Sequence, residues 1–231
     1  PVHRNRGAPG QPTTRNTPMK FSTTLLALAI AGSAAFGPTA FAQSADMSVT
    51  GKIFPGACVV NLGGGGIADL GDIRVDSLNA DTTTVLAPVV LPITVACDAE
   101  VRFAFQGEDN ARESPAVPYR YGLGVTSADE KIGSANLLVA DVTVDGVPGF
   151  GTHSNDSGAT WNESNAGGNF TLSMTDLLGF AKESAIDTGP APIQGLQGSL
   201  KVVAEIQPTD ALTTIEDIQV SGSATVNLVY L

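Results

Sequence analysis

The sequence predicts an all-β protein, a β-sandwich of about nine short strands in a single exported domain. Three observations predict it. Val, Ile, Thr and Ala recur in short runs. Gly, Asn, Asp, Ser and Pro break those runs about every eight to twelve residues. The first part of the chain reads as an export leader, and only two cysteines follow it.

Residues 1–18 are rich in Pro, Arg, Asn, Gly and Thr and have no apolar periodicity, so they read as an upstream disordered segment. Met19 is the expected start. Residues 19–42 have the pattern of a signal peptide. Lys20 supplies a positive end, Leu25–Ala31 the apolar stretch, and Ala40 and Ala42 the small residues of a cleavage site. The apolar run is too short for a membrane span, which needs roughly 20 residues. Cleavage after Ala42 removes four of the twelve Lys and Arg and no acid. The mature chain then has 189 residues and a net charge of −15, eight bases against twenty-three acids. That balance argues against nucleic acid or anionic lipid as a partner, since both require basic patches. Cys58 and Cys97 are expected to pair in an oxidising periplasm. Metal binding fails as an alternative because His153 is the only mature histidine, and no close Cys-x-x-Cys spacing suggests a redox pair.

Ala45–Ile53 alternates, with Met47, Val49, Gly51 and Ile53 on one face. Ala57–Leu62 is a second strand, and Gly63–Gly66 a turn or loop. Val85–Cys97 reads as an edge strand or as broken pieces, because Pro88 and Pro92 cannot donate to a ladder. Val101–Phe105, Tyr121–Val125, Leu137–Val144, Asn169–Met174, Gly198–Ile206 and Ser223–Leu231 continue the series. Asp176–Ser184 is compatible with a helical turn. An alternating strand ahead of the first cysteine, and an apolar strand at the other end with no partner strand after it, imply an exposed edge or groove.

Gly51 seven residues before Cys58, the alternation of Met47, Val49 and Ile53 around it, a second cysteine about 40 residues on, and Ala224–Leu231 with Tyr230 penultimate together resemble the chaperone–usher fimbrial (pilin) subunits. The likeness runs from Ser44 to Leu231, strong at the ends and weak between. The Thr50–Cys58, Tyr119–Gly124 and Gly222–Tyr230 segments look most like a fimbrial-like branch whose members have no individual role assigned. The resemblance implies an immunoglobulin-like β-sandwich over residues 55–231, incomplete because it lacks the final strand. It implies an N-terminal donor-strand extension over residues 43–54 that fills the groove of the next subunit by strand addition. The donor face would be Met47, Val49, Gly51 and Ile53. Val226, Leu228 and Tyr230 would form the strand that a periplasmic chaperone binds, with the carboxylate of Leu231 meeting basic chaperone residues. The implied partners are neighbouring subunits, the chaperone and an outer-membrane usher, without direct membrane insertion, and the implied location is a fimbria on the cell surface, where the subunit contributes to cell adhesion.

Enzymatic readings are weaker. Ser154-Asn-Asp-Ser-Gly-Ala-Thr-Trp161 matches a box found in sialidases and other β-propellers. There it is a hairpin turn with a packed Trp rather than a catalytic site, and this chain has one copy. Arg74, Arg102, Arg112 and Arg120 are scattered, His153 stands alone as an expected loop residue, and pairs such as Asp141/Asp145 or Asp129/Glu130 occur by chance among twenty-three acids. No dense acidic loop around Asp81 or Asp109 suggests calcium. The sequence therefore nominates no catalytic residue, no metal site and no cofactor. The competing reading is a monomeric secreted or periplasmic sandwich that binds carbohydrate or another ligand, with Trp161 as a sugar-stacking residue.

Overall fold

The computed structural model describes residues 57–164, 168–184 and 188–231. Among them the chain forms thirteen strands, three short 3₁₀ turns and no α-helix. The strands make two antiparallel sheets. The first has the order β1 (Cys58–Leu62), β3 (Val89–Val101), β12 (Ile193–Ile206), β6 (Gly133–Val144), β10 (Asn169–Thr171). Short β2 (Thr84–Val85) also pairs with β12, and β5 (Tyr121–Gly122) and β7 (Val147–Pro148) with β6. The second has the order β13 (Ala224–Tyr230), β4 (Phe103–Asp109), β11 (Leu177–Ala181), β8 (Phe150–Ser154), β9 (Asn162–Glu163).

Alternation builds the core. On β3, Leu91, Ile93, Val95 and Cys97 are buried while the residues between them are exposed. On β4, Phe103 and Phe105 point inward. A chain of edge-to-face aromatics joins the layers: Phe103–Phe105 at 5.8 Å, Phe105–Phe180 at 6.2 Å and Phe180–Phe170 at 5.2 Å between ring centroids. Phe170 belongs to the first sheet and Phe180 to the second, so this contact crosses the sandwich. Gly107 leaves room for the hydroxyl of Tyr121, where any Cβ would collide. That hydroxyl donates to the Leu172 carbonyl at 2.8 Å, and burial, with the Asp109 charge second, pushes its pKa well above the usual tyrosine value.

Three expectations are corrected. Val85–Cys97 is interrupted at Pro88, as expected, between β2 and β3, but β3 is neither an edge nor broken at Pro92. β3 runs unbroken through Pro92 and lies between β1 and β12. The Asp98 N–H donates to the Ala57 carbonyl, so the even-numbered residues of β3 turn their amides toward β1. β1 ends opposite Ile93. Pro92 therefore sits just past the end of that ladder, where no donor is lost, and its ring packs against Gly63. Asp176–Ser184 forms no helical turn. Its core is β11, whose five residues are all buried, and a strand buried on both faces has no alternation to betray it. His153 is not a loop residue but lies within β8, opposite Leu178 and Asn162. The Gly63–Gly66 turn is as expected: Gly64, Gly65 and Gly66 all adopt positive φ, which glycine alone takes without cost.

Candidate functional site

The candidate site is a seam between β1, the free edge of the first sheet, and β13, the free edge of the second. The two lips touch at one end, where the Cys58 N–H donates to the Tyr230 Oη at 2.9 Å.

Hydrogen-bond alternation defines the β13 lip. The Leu231 N–H donates to the Arg102 carbonyl, and the Asn110 N–H to the Ser223 carbonyl. With the β13–β4 register, these bonds place Thr225, Asn227 and Val229 in hydrogen-bonded pairs with β4. Ala224, Val226, Leu228 and Tyr230 consequently turn their N–H and C=O groups to the opposite edge. Among the described residues, no backbone group bonds them there. The β1 lip follows the same rule. The bond from Asp98 to Ala57 assigns Val59 and Asn61 to the β3 ladder and turns the backbone of Cys58, Val60 and Leu62 outward.

The side chains share that geometry. Val226 and Leu228 on one lip, and Cys58, Val60 and Leu62 on the other, pack against the core yet remain only half-buried. Leu228 stands opposite Phe105, which is fully buried. A row of apolar side chains aimed at the core but still wet, beside unused main-chain donors and acceptors, can accept an added strand.

Cys58 and Cys97 form a disulfide with a Cα–Cα distance of 4.0 Å. They are directly opposite in the β1–β3 register, at a non-hydrogen-bonded position where strands approach most closely. The bond ties the β1 lip to β3, and it points to an oxidising, non-cytosolic compartment. Among the described residues, no helix is long and apolar enough to cross a membrane.

Val226, Leu228, Tyr230 and Leu231 thus lie on or beside the seam. Met47, Val49, Gly51 and Ile53 lie outside the described residues. Sequence reasoning did not single out the β1 lip residues Val60 and Leu62, although the alternation in Cys58-Val-Val-Asn-Leu62 is a faint signal of one wet and one buried face.

The other nominated groups are structural. The Ser154–Trp161 segment is the turn between β8 and β9, as expected. The carboxylate of Asp156 accepts from the Thr160 hydroxyl, the Thr160 N–H and the Ser154 hydroxyl, which hold its pKa down to about 2. The Trp161 indole N–H donates to the Gly158 carbonyl at 3.0 Å. Asp145 accepts from the Gln194 and Gly195 amides and pairs with Lys182 at 2.7 Å, whereas Asp141 lies 3.6 Å from Lys201. Glu130 accepts from Thr213 and Thr126. Asp109 is buried and accepts from the Ala111 and Gly122 amides. Among the described residues, no group of three or more His, Cys, Asp or Glu is placed to hold a metal ion.

A family model described as a protein of unknown function (DUF1120) matches residues 47–117. This is less than a third of the chain, and it spans both cysteines and β1 to β4. No curated protein matches the chain.

Proposed function

We propose that the chain is a structural subunit of a bacterial surface fimbria assembled by donor-strand exchange through a chaperone and usher, contributing to cell adhesion. Its sandwich is completed by a strand from another molecule, and its own leading segment, residues 43–54, completes the next. The observation that carries this reading is the seam, where Val226 and Leu228 offer both half-wet apolar side chains and unused backbone groups.

Strand order supports an immunoglobulin-like assignment. The first sheet reads A-B-E-D as β1-β3-β12-β6, and β13-β4 reads F-C in the second. The place beside F that strand G would take is the seam. Strands β7 to β11 then form an insertion between D and E, of which β11, β8 and β9 extend the second sheet beyond C while β7 and β10 pair with D. An incoming strand with Met47, Val49 and Ile53 on one face would cover the Val60, Leu62, Val226 and Leu228 side chains. Complete burial of such a side chain stabilises by about 1.5–3 kcal/mol before entropic costs. Gly51 would sit where the two backbones come closest.

The experiment is deletion of residues 44–52. The full chain is expected to form multimers visible by size-exclusion chromatography and electron microscopy. The shortened chain should accept a donor but fail to extend a polymer of its own kind. Polymerisation of the shortened chain alone would refute the proposal.

A further inference from the structure

We propose that the outward face of the β4–β13 ribbon carries a binding site for a neutral saccharide, independent of the seam. An open hollow of about 510 Å³ lies there, within the ~300–1,000 Å³ range of small-molecule clefts. Gln106 and Glu108 of β4 and Asn227 of β13 belong to its floor, and the segment between β4 and β5 supplies Arg112 and Tyr119.

Tyr119 is the first argument. It is 85% exposed and has φ of +65°, a left-handed conformation that a bulky residue adopts against strain. A ring held in a strained backbone yet scarcely buried adds little to the fold, and strain of this kind gathers at ligand sites. An exposed aromatic face at the rim of a polar hollow suits the C–H face of a pyranose. The second argument is a braced polar rack. Arg112 Nη2 donates to Glu108 Oε1 at 3.0 Å, and Arg112 Nε donates to the Asp109 carbonyl at 3.2 Å. Asn227 Nδ2 donates to Glu108 Oε2 at 3.5 Å. Carboxylate, amide and guanidinium are thereby fixed side by side, with Arg112 keeping three of its five N–H donors free of bonds to the described residues. Such a set answers vicinal hydroxyls, each of which both donates and accepts. Charge is the third argument. Glu108 neutralises Arg112, and the nearby Arg120 is paired with Glu205. Among the residues lining the hollow, no cation is left without a carboxylate partner, and Lys131 beside it donates to the Pro115 carbonyl.

The test is saturation-transfer NMR on the full chain with D-galactose, D-mannose, D-glucose, N-acetyl-D-glucosamine, lactose and, as a charged probe, sialic acid. Saturation of at least one neutral sugar is expected. Tyr119→Ala and Glu108→Gln should each weaken it at least tenfold, and Trp161→Ala should leave it unchanged. Tyr119→Gly should abolish binding while raising the melting temperature, because it relieves the positive φ; a residue retained only for structure would not show both effects. Transfer to none of the neutral sugars, transfer to sialic acid alone, or binding that survives Tyr119→Ala would overturn the proposal.

Discussion

Proline placed at neighbouring positions of β13 separates a strand whose outer edge is open from one already paired. Val229 faces Ala104 at a hydrogen-bonded position, and Ala104 is fully buried. Val229→Pro removes one backbone hydrogen bond, worth about 1 kcal/mol net, and strands a buried carbonyl at a further ~1–3 kcal/mol. A total near 3 kcal/mol corresponds to a fall of about 6–12 °C in melting temperature for a domain of this size. The Leu228 N–H points into the seam, so Leu228→Pro breaks no bond within the described chain. Its cost is part of a half-buried side chain, about 1 kcal/mol, or roughly 2–4 °C. Assembly should respond in the reverse order. The ring at position 228 removes a donor the incoming strand requires and obstructs its backbone, so multimers should be lost. Leu228→Ala measures the side-chain share alone. Thermal melts of the unassembled chain and size-exclusion profiles of the assembled one are the assays. Equal destabilisation by the two prolines would refute the reasoning, because it would mean the outer edge of β13 is already hydrogen-bonded within the chain.

Three further outcomes follow from the packing and the turns. Phe180→Ala, which empties the space between Phe105 and Phe170, should cost about 3–5 kcal/mol in denaturant unfolding; a cost under ~1 kcal/mol would show that the aromatic chain does not hold the sheets together. Replacing both Cys58 and Cys97 by Ser opens a loop with a sequence separation of 39 and should cost roughly 4 kcal/mol by the chain-entropy estimate, read as a lower denaturant midpoint. Trp161 is the only tryptophan, so its fluorescence reports the β8–β9 turn. The Asp156 pKa is lowered in the folded state to about 2, so its contribution is complete above its ordinary value near 4 and is lost as pH falls through about 2. Emission should hold steady from neutral pH downward and shift to the red in a step centred near pH 2, where the folded-state carboxylate protonates, and Asp156→Asn should remove that step.

Much of the fold was legible because half-buried strands advertise themselves by alternation. β3 carried that signal most plainly, with Leu91, Ile93, Val95 and Cys97 buried between exposed residues, and the disulfide was expected from two cysteines behind a leader-like segment. What stayed hidden had physical reasons. β11 is buried on both faces, so Leu-Leu-Gly-Phe-Ala shows no period. Pro92 looked like a strand breaker because sequence does not reveal where a neighbouring ladder stops. The β13 lip was legible from its apolar alternation. The β1 lip was not, because its significance depends on lying across from a strand more than 160 residues away, a proximity made visible by the Cys58–Tyr230 bond. The hollow beside Tyr119 was equally hidden, since it joins three segments that have no sequence pattern in common.

Amide hydrogen exchange along β13 probes the open seam most directly. In the unassembled chain, the Thr225, Asn227 and Val229 amides should be protected, while those of Val226, Leu228 and Tyr230 exchange at rates near those of free peptide. On assembly the second set should become as slow as the first. Uniform protection of all six amides before assembly would contradict the account.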